Sequence, residues 1–411
     1  MKQIVKLKCI TDRITKGTTP TTVGFDFTDS GINFIKAEAL NGDSELDTQG
    51  FAYINESAQN KLKRSILQEN DILVTIAGIN IGKVGIIKRK HLPANTNQAV
   101  GIVRIKPELA NSQYIYYWFK NPLTFKYLQS INAQAAQPNI NLAMLGDISL
   151  LLPHIGDQKK IANILSTYDD LIETNQRRIE LLEESARLLF REWFVYFRFP
   201  GYEKIKIVDG KGKKMPAEWD YLPITKIKIF KKAPLGMPVF TDIRQYYQTS
   251  EIDGTNITGY GEEVDYENRP SRADVLPKIN TIYFAKMKDT EKVLYFNKGN
   301  SFLLSKIILS TGMVGFTTEE KYLGFLFGLL TSYEFVQYKN NYATGATQVS
   351  LNDSSLKKIK VLLPKIDLIE QYSKIVNSLL EQCSYLRNQN QKLTQARDLL
   401  LPRLMNGKIE V

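Results

Sequence analysis

The stretch Gly78-Ile79-Asn80-Ile81-Gly82-Lys83-Val84 follows a β-type run and looks like a loop that cradles phosphate. A working phosphate loop has four residues between its glycines, a Lys on the phosphates and then a Ser or Thr on magnesium. Here three residues separate the glycines and Val84 follows the Lys, so a hairpin turn is the better reading. Asn121-Pro122-Leu123 lacks the second proline and the aromatic with which amino-methyltransferases grip a flipped adenine, and no glycine-rich cofactor loop accompanies it. Glu319-Glu320-Lys321 has the Glu-x-Lys spacing of some nucleases but no upstream aspartate strand to support it. His91 and His154 sit in different contexts, which argues against a Ser-His or two-His metal site. Cys9 and Cys383 lie in opposite halves with no metal spacing and suggest no disulfide framework. The chain reads as one that binds and does not catalyse, with no metal or cofactor of its own.

What it binds is suggested by charge. The net charge is +11, which points to a polyanionic partner if the excess is localised. Residues 1–154 carry 17 basic against 12 acidic side chains, and residues 201–363 carry 23 against 18. The stretches 155–200 and 364–411 carry 7 against 8 and 7 against 5. Ten of the eleven excess charges therefore lie in the two long segments. The competing reading is a solvated basic surface that binds nothing. No apolar run approaches the roughly 18 residues a membrane helix needs, and the first residues have no signal-peptide core. A cytoplasmic location is expected.

The elements that must carry these segments repeat. Ser149-Leu150-Leu151-Leu152-Pro153-His154-Ile155 opens a long helical run, and Lys360-Val361-Leu362-Leu363-Pro364-Lys365-Ile366 opens another. Aligned on the two prolines, Gln137 falls on Gln348, Asn141 on Asn352, Ile148 on Ile359 and Ile164 on Ile375. A one-residue slip then brings Ala186-Arg187 onto Ala396-Arg397. Units of this size are too long for a solenoid and suggest a pseudo-dimer in one chain.

Within the first run, Ile161, Tyr168, Asn175, Leu182 and Leu189 recur every seven residues, as do Leu165, Ile172, Ile179, Ala186 and Trp193. The second run gives Tyr372, Leu379, Leu386, Leu393 and Leu400, with Val376 and Cys383 beside them. Such seams predict two long helices packed as an antiparallel coiled-coil pair, with Asn175 and Asn390 as polar interruptions that fix register. A helix of about 37 residues would be roughly 55 Å long. The alternative is that each helix is only the core-facing edge of its own domain. Short β-type runs, 71–76, 84–87, 99–103 and 281–284, and helical patches at 112–120 and 323–338 give each long segment an α+β reading. The expected organisation is a pseudo-two-fold α+β chain: globular domains at 1–153 and 217–363, helical regions at 154–200 and 364–411, and a Gly/Lys-rich linker at 201–216.

Three groups of residues together resemble the specificity subunits of type I restriction–modification enzymes. They are Leu151-Leu152-Pro153-x-Ile155-x-x-Gln158-x-x-Ile161, the helix from Leu181 to Phe194, and the C-terminal Leu399-Leu400-Leu401-Pro402-Arg403-Leu404-Met405-Asn406-Gly407-Lys408-Ile409. Met215-Pro216-Ala217-Glu218-Trp219 resembles the entry to that family's second target-recognition domain, and Gly17-Thr18-Thr19-Pro20 a loop near the start of the first. One departure is that Ile369 and Gln371 stand where the family has its usual Gln after the second proline. The resemblance implies two target-recognition domains, each reading half of a bipartite double-stranded DNA site, and paired helices that set the gap. It implies docking of two methyltransferase subunits that use S-adenosylmethionine, and of two motor-nuclease restriction subunits that use ATP and magnesium.

In such a chain, Lys and Arg supply phosphate contact while amides and Arg forks read base edges. The candidates are Thr18, Thr19, Asn80, Lys83, Asn97, Gln134 and Gln137 in the first domain. In the second they are Arg272, Lys306, Thr311, Thr347 and Gln348. An Asn or Gln beside Gly is also a common turn residue, and Gln137 and Gln348 precede the helix junctions in both copies, which suits a structural role. The alternative function is a coiled-coil scaffold whose globular heads bind protein.

Overall fold

A computed structural model of the chain describes residues 3–40, 46–78, 81–131, 139–210, 213–345 and 349–411. It divides into two compact units, one of residues 1–174 with 390–411, the other of residues 175–389. The division falls inside both long helices, so each unit holds a globular part and a portion of each helix. Among the described residues, no helix is long and apolar enough to cross a membrane.

The first unit contains β1 (Gln3–Lys6), β2 (Thr11–Lys16), β3 (Ile32–Ile35), β4 (Ala52–Ile54), β5 (Ile72–Thr75), β6 (Val84–Ile86), β7 (Ala94–Thr96), β8 (Val100–Ile105) and β9 (Ser149–Leu152). Its shorter helices are α1 (Glu56–Lys61), α2 (Ser112–Lys120), α3 (Pro122–Ser130) and α4 (Leu142–Asp147), and α5 (Ile155–Phe190) begins here. One antiparallel sheet runs β2-β8-β5-β6, a second runs β4-β3-β7 with β3 and β7 parallel, and β1 pairs with β9. The core gathers Ile72, Val74 and Val103 of the first sheet, Tyr114, Ile115 and Phe119 of α2, and Ile161 and Leu165 of α5.

The second unit contains β10 (Ile207–Gly210), β11 (Lys213–Pro216), β12 (Asp220–Pro223), β13 (Lys231–Lys232), β14 (Arg244–Tyr247), β15 (Ile252–Asp253), β16 (Asn256–Ile257), β17 (Glu262–Val264), β18 (Ala273–Val275), β19 (Thr281–Ala285), β20 (Val293–Phe296), β21 (Ile307–Ser310), β22 (Met313–Thr317) and β23 (Lys360–Leu363). Its helices are α6 (Glu320–Leu330), α7 (Tyr333–Tyr342), α8 (Asp353–Leu356) and most of α9 (Ile366–Met405). An antiparallel sheet runs β13-β22-β19-β20, another runs β17-β14-β21-β18 with β14 and β21 parallel, and β12 pairs with β23. Strand for strand these three sheets repeat the topology of the first unit, with β18 added at one edge and the pairs β10-β11 and β15-β16 lacking a counterpart. The repeat seen at the helix entrances therefore extends through both globular parts.

The aligned residues do the same work in each copy. Ile148 O accepts from Leu7 N–H and Ile359 O from Ile224 N–H, both at 2.9 Å, where the paired strands meet. Gln158 donates to Pro153 O at 2.8 Å and accepts from Asn111 N–H at 2.9 Å, which ties the start of α5 to the start of α2. The departure at Ile369 changes this solution, since Ile369 sits fully buried in an apolar core.

In each unit the portions of α5 and α9 run antiparallel. In the first, Asn390 donates to Ile172 O and Arg397 pairs with Asp169; in the second, Asn175 donates to Gln389, Cys383 to Ile179 O and Tyr372 to Ala186 O. Both predicted asparagines thus reach the opposite helix. The seven-residue line Leu165, Ile179, Ala186 and Trp193 is buried as expected, while the line beside it is only partly so. Ile161, Tyr372 and Leu386 are buried, but Tyr168, Leu182, Leu189, Leu379, Leu393 and Leu400 are only half-buried. The buried line on α9 instead passes through Ile369, Tyr372, Val376, Leu380 and Cys383. Ile369, Val376 and Cys383 still recur every seven residues, so the seam on α9 keeps its period but lies on a shifted face, where the helix also packs against α6 through Ser373 and Asn377.

Two further expectations shift, and a third holds. The 323–338 patch is two helices, because Ser332 ends one and caps the next by accepting from Phe335 N–H at 3.2 Å. The 201–216 stretch holds the β10–β11 hairpin. Between β5 and β6, Gly82 N–H donates to Thr75 O and Thr75 N–H to Lys83 O, as a hairpin turn requires, residues 79 and 80 lying outside the described ones.

Candidate nucleic-acid interface

Strand β2 leaves its sheet at Gly17, where the backbone is pressed against the end of β7. Gly17 N–H donates to Val100 O and Thr18 N–H to Thr96 O, at 3.4 and 3.2 Å. A Cβ on Gly17 would stand 1.9 Å from the Thr96 carbonyl oxygen, so only glycine permits the approach. The contact places Thr18 and Thr19 beside the β7–β8 connection. Thr19 donates to Gln98 Oε1 from its backbone N–H at 3.2 Å and also from its hydroxyl. Arg64 Nη2 donates to Thr18 Oγ1 at 3.1 Å. Asn97 accepts from Ala99 N–H at 3.2 Å, the turn role expected of an Asn in such a loop.

Thr18, Thr19 and Asn97 are therefore brought together, joined by Arg64 and Gln98, which sequence reasoning omitted. The available signals were the basic run Lys61-Leu62-Lys63-Arg64 and the second amide next to Asn97. Arg64 and Gln98 are exposed. With Gln98 Oε1 held by Thr19, its amide NH2 is the end that can donate outward. An Arg fork and an amide donor suit the acceptor-rich edge of guanine, or phosphate. Arg104 serves a different purpose: two 2.7 Å hydrogen bonds commit it to fully buried Asp71 and raise its basicity. Lys83 stands on the β5–β6 hairpin instead.

In the second unit, Thr311 N–H donates to Arg272 O at 2.9 Å, so these two candidates share a rim, with Arg272 exposed. Thr311 occupies the β21–β22 connection, the counterpart of Asn97 in β7–β8. Lys306 lies at the other end of β21, roughly 16 Å along the strand. Beside Thr311 opens a pocket of about 220 Å³ whose polar lining includes Lys232, Lys286 and Asn352. Lys232 is paired with Asp353 at its mouth. Asn80, Gln134, Gln137, Thr347 and Gln348 lie outside the described residues.

The other chemical candidates have structural roles. Asn121 caps α3, accepting from Leu123 N–H at 3.2 Å. Lys321 pairs with Glu370 and Glu320 with Lys298. Among the described residues, no group of three or more His, Cys, Asp or Glu side chains is placed to hold a metal ion.

Residues 3–184 match the family model described as type I restriction modification DNA specificity domain. The chain is 25% identical to the type I restriction enzyme MjaIX specificity subunit of Methanocaldococcus jannaschii, over 99% of this chain and 93% of that one. It is also 25% identical to the HindI specificity subunit of Haemophilus influenzae, over 66% of this chain and 71% of that one. The solved structure of a type I restriction–modification S subunit from M. genitalium has the same fold, with a TM-score of 0.56 at 16% identity, over 98% of this chain and 96% of that one.

Proposed function

We propose that this chain, whose residues 3–184 match the type I restriction modification DNA specificity domain, is the DNA-reading, non-catalytic subunit of a type I restriction–modification complex. One observation carries the reading. Two globular parts share a strand order, and in each the same polar connection gathers with an exposed arginine: Asn97-Gln98 with Arg64 by way of Thr19 and Thr18, and Thr311-Gly312 with Arg272 directly. Each part, 1–153 and 217–363, reads one half of a bipartite double-stranded site. Regions 154–200 and 364–411 set the gap between the halves, and 201–216 links the copies.

The long helices dock two modification subunits, and two restriction subunits complete the assembly in the cytoplasm. S-adenosylmethionine, ATP and magnesium belong to those partners. Rigid readers facing successive major grooves about one helical turn apart need a stiff spacer, which long paired helices provide. The test is to exchange residues 1–150 for those of a relative and map methylated sites. One half of the site changes and the other stays. A change in both halves refutes the two-reader scheme. A scaffold whose heads bind protein would instead show no salt-dependent DNA affinity in the presence of the modification subunit.

A further inference from the structure

Each globular part is joined to the helices of its own unit by a buried acid, an arginine and a tyrosine. In the second unit the acid is Glu183 of α5, 4% exposed. Its Oε1 accepts from Tyr295 Oη at 2.9 Å and Arg387 Nη2 at 2.6 Å, and its Oε2 from Thr255 Oγ1 at 2.7 Å and Arg187 Nη2 at 3.2 Å. Arg387 of α9 also donates to Thr255 Oγ1, Asn256 Oδ1 and the Tyr295 hydroxyl. Tyr295 comes from β20, and Thr255 and Asn256 from the β15–β16 hairpin. In the first unit, Asp169 of α5 accepts from Arg397 Nη1 at 2.6 Å and from Tyr117 Oη of α2 at 2.7 Å. All three of those side chains are buried.

Burying an ion pair is a poor way to gain stability, because desolvation offsets the attraction and apolar replacements are often as stable. Directional hydrogen bonds, by contrast, fix angle and register in a way that apolar packing does not. Removal from water pushes the Glu183 carboxyl up, yet Arg387, Thr255 and Arg187 together hold it below its ordinary range. The junction is therefore charged and fully engaged.

We propose that the Glu183–Arg387–Tyr295 and Asp169–Arg397–Tyr117 junctions are positioning devices that fix the orientation of each reading domain on the helices. They thereby make the complex selective for one gap length. This rests on the DNA-reading function proposed above, and the two can fail separately.

The experiment uses the full chain in complex with its modification subunits. Binding is measured to duplexes carrying the cognate gap, a gap one base pair longer, and the second domain's half-site alone. A wild-type complex that binds no site selectively overturns the function itself, before any variant is made. Given selective binding, Glu183→Leu/Arg387→Met should keep a near-wild-type thermal midpoint and half-site affinity within about twofold. Its preference for the cognate gap should fall by about tenfold or more. Unchanged gap preference overturns the proposal. Should that pair fail to fold, Tyr295→Phe and Thr255→Val remove single hydroxyls, with a loss of about threefold expected in the same ratio. Equal weakening on all three duplexes would mean a purely structural junction and also overturns it.

Discussion

Asn141 and Asn352 are the same residue of one motif used twice. Each stands just before a short helix and accepts from the backbone N–H three residues on, Met144 in one copy and Ser355 in the other, both at 2.8 Å. The side chain satisfies a helix-end donor that would otherwise lack a partner. Asn141→Ala and Asn352→Ala should each cost about 1 kcal/mol of stability in urea unfolding, without altering the methylated sequence. Loss of one half-site at unchanged stability would mean that the amide touches DNA instead.

That equivalence is legible in the sequence because caps and strand–helix junctions are local: a few backbone bonds demand particular residue types, and the demand recurs. The shared strand order of the globular parts is not legible there. It is set by long-range pairings such as β3 with β7 and β14 with β21, which many apolar sequences satisfy. Nor are Glu183 and Arg387, because charged residues in a helical run read as a solvated face until the β15–β16 hairpin is seen to cover them. Gly17 stands out as part of a loop, but its reason, the carbonyl of Thr96, lies 79 residues away in sequence.

His91 makes the first unit sensitive to acid. Burial above all, then the charges of Lys90 and Lys88, lowers its pKa from 6.5 to about 4. Its Nδ1 accepts from Lys88 N–H at 3.1 Å, which suits the neutral ring. Between these two values the unfolded chain binds a proton that the folded chain refuses. The contribution is therefore complete above about pH 6.5 and is lost as pH falls toward about 4. His91→Asn keeps an acceptor near the same place without the titration. Its thermal midpoint should fall less than wild type's between about pH 7 and pH 4.5. An equal fall in both proteins would remove His91 from the account.

Two glycines separate steric contact from backbone strain. Gly17→Ala drives a methyl into the Thr96 carbonyl and should part the loop that carries Thr18 and Thr19 from Gln98. The expected cost is about 1–3 kcal/mol, with loss of affinity for a single half-site. Gly24, at φ 84° with nothing within 4 Å of where a Cβ would stand, tests strain alone. Gly24→Ala should cost about 1 kcal/mol and leave recognition intact. Half-site titrations of both variants check this, and a Gly17→Ala protein with normal DNA affinity would detach the loop from the interface.

Arg64 provides the sharpest test of how the first domain reads DNA. Its guanidinium is exposed yet held by Thr18, so the fork is oriented before DNA arrives. Gln98 beside it turns its donor outward because Thr19 holds its oxygen. Two oriented donors favour a base edge over a phosphate, which any mobile cation can meet. Arg64→Ala should cost about 1–3 kcal/mol on the cognate site and relax discrimination at one base pair of one half. Arg64→Lys should not restore it, because an ammonium lacks the planar pair of donors. A phosphate contact predicts the opposite pattern, with uniform weakening across sequences, rescue by lysine and a salt slope shallower by about one. Titrating the three proteins against single-base variants at two salt concentrations decides between them.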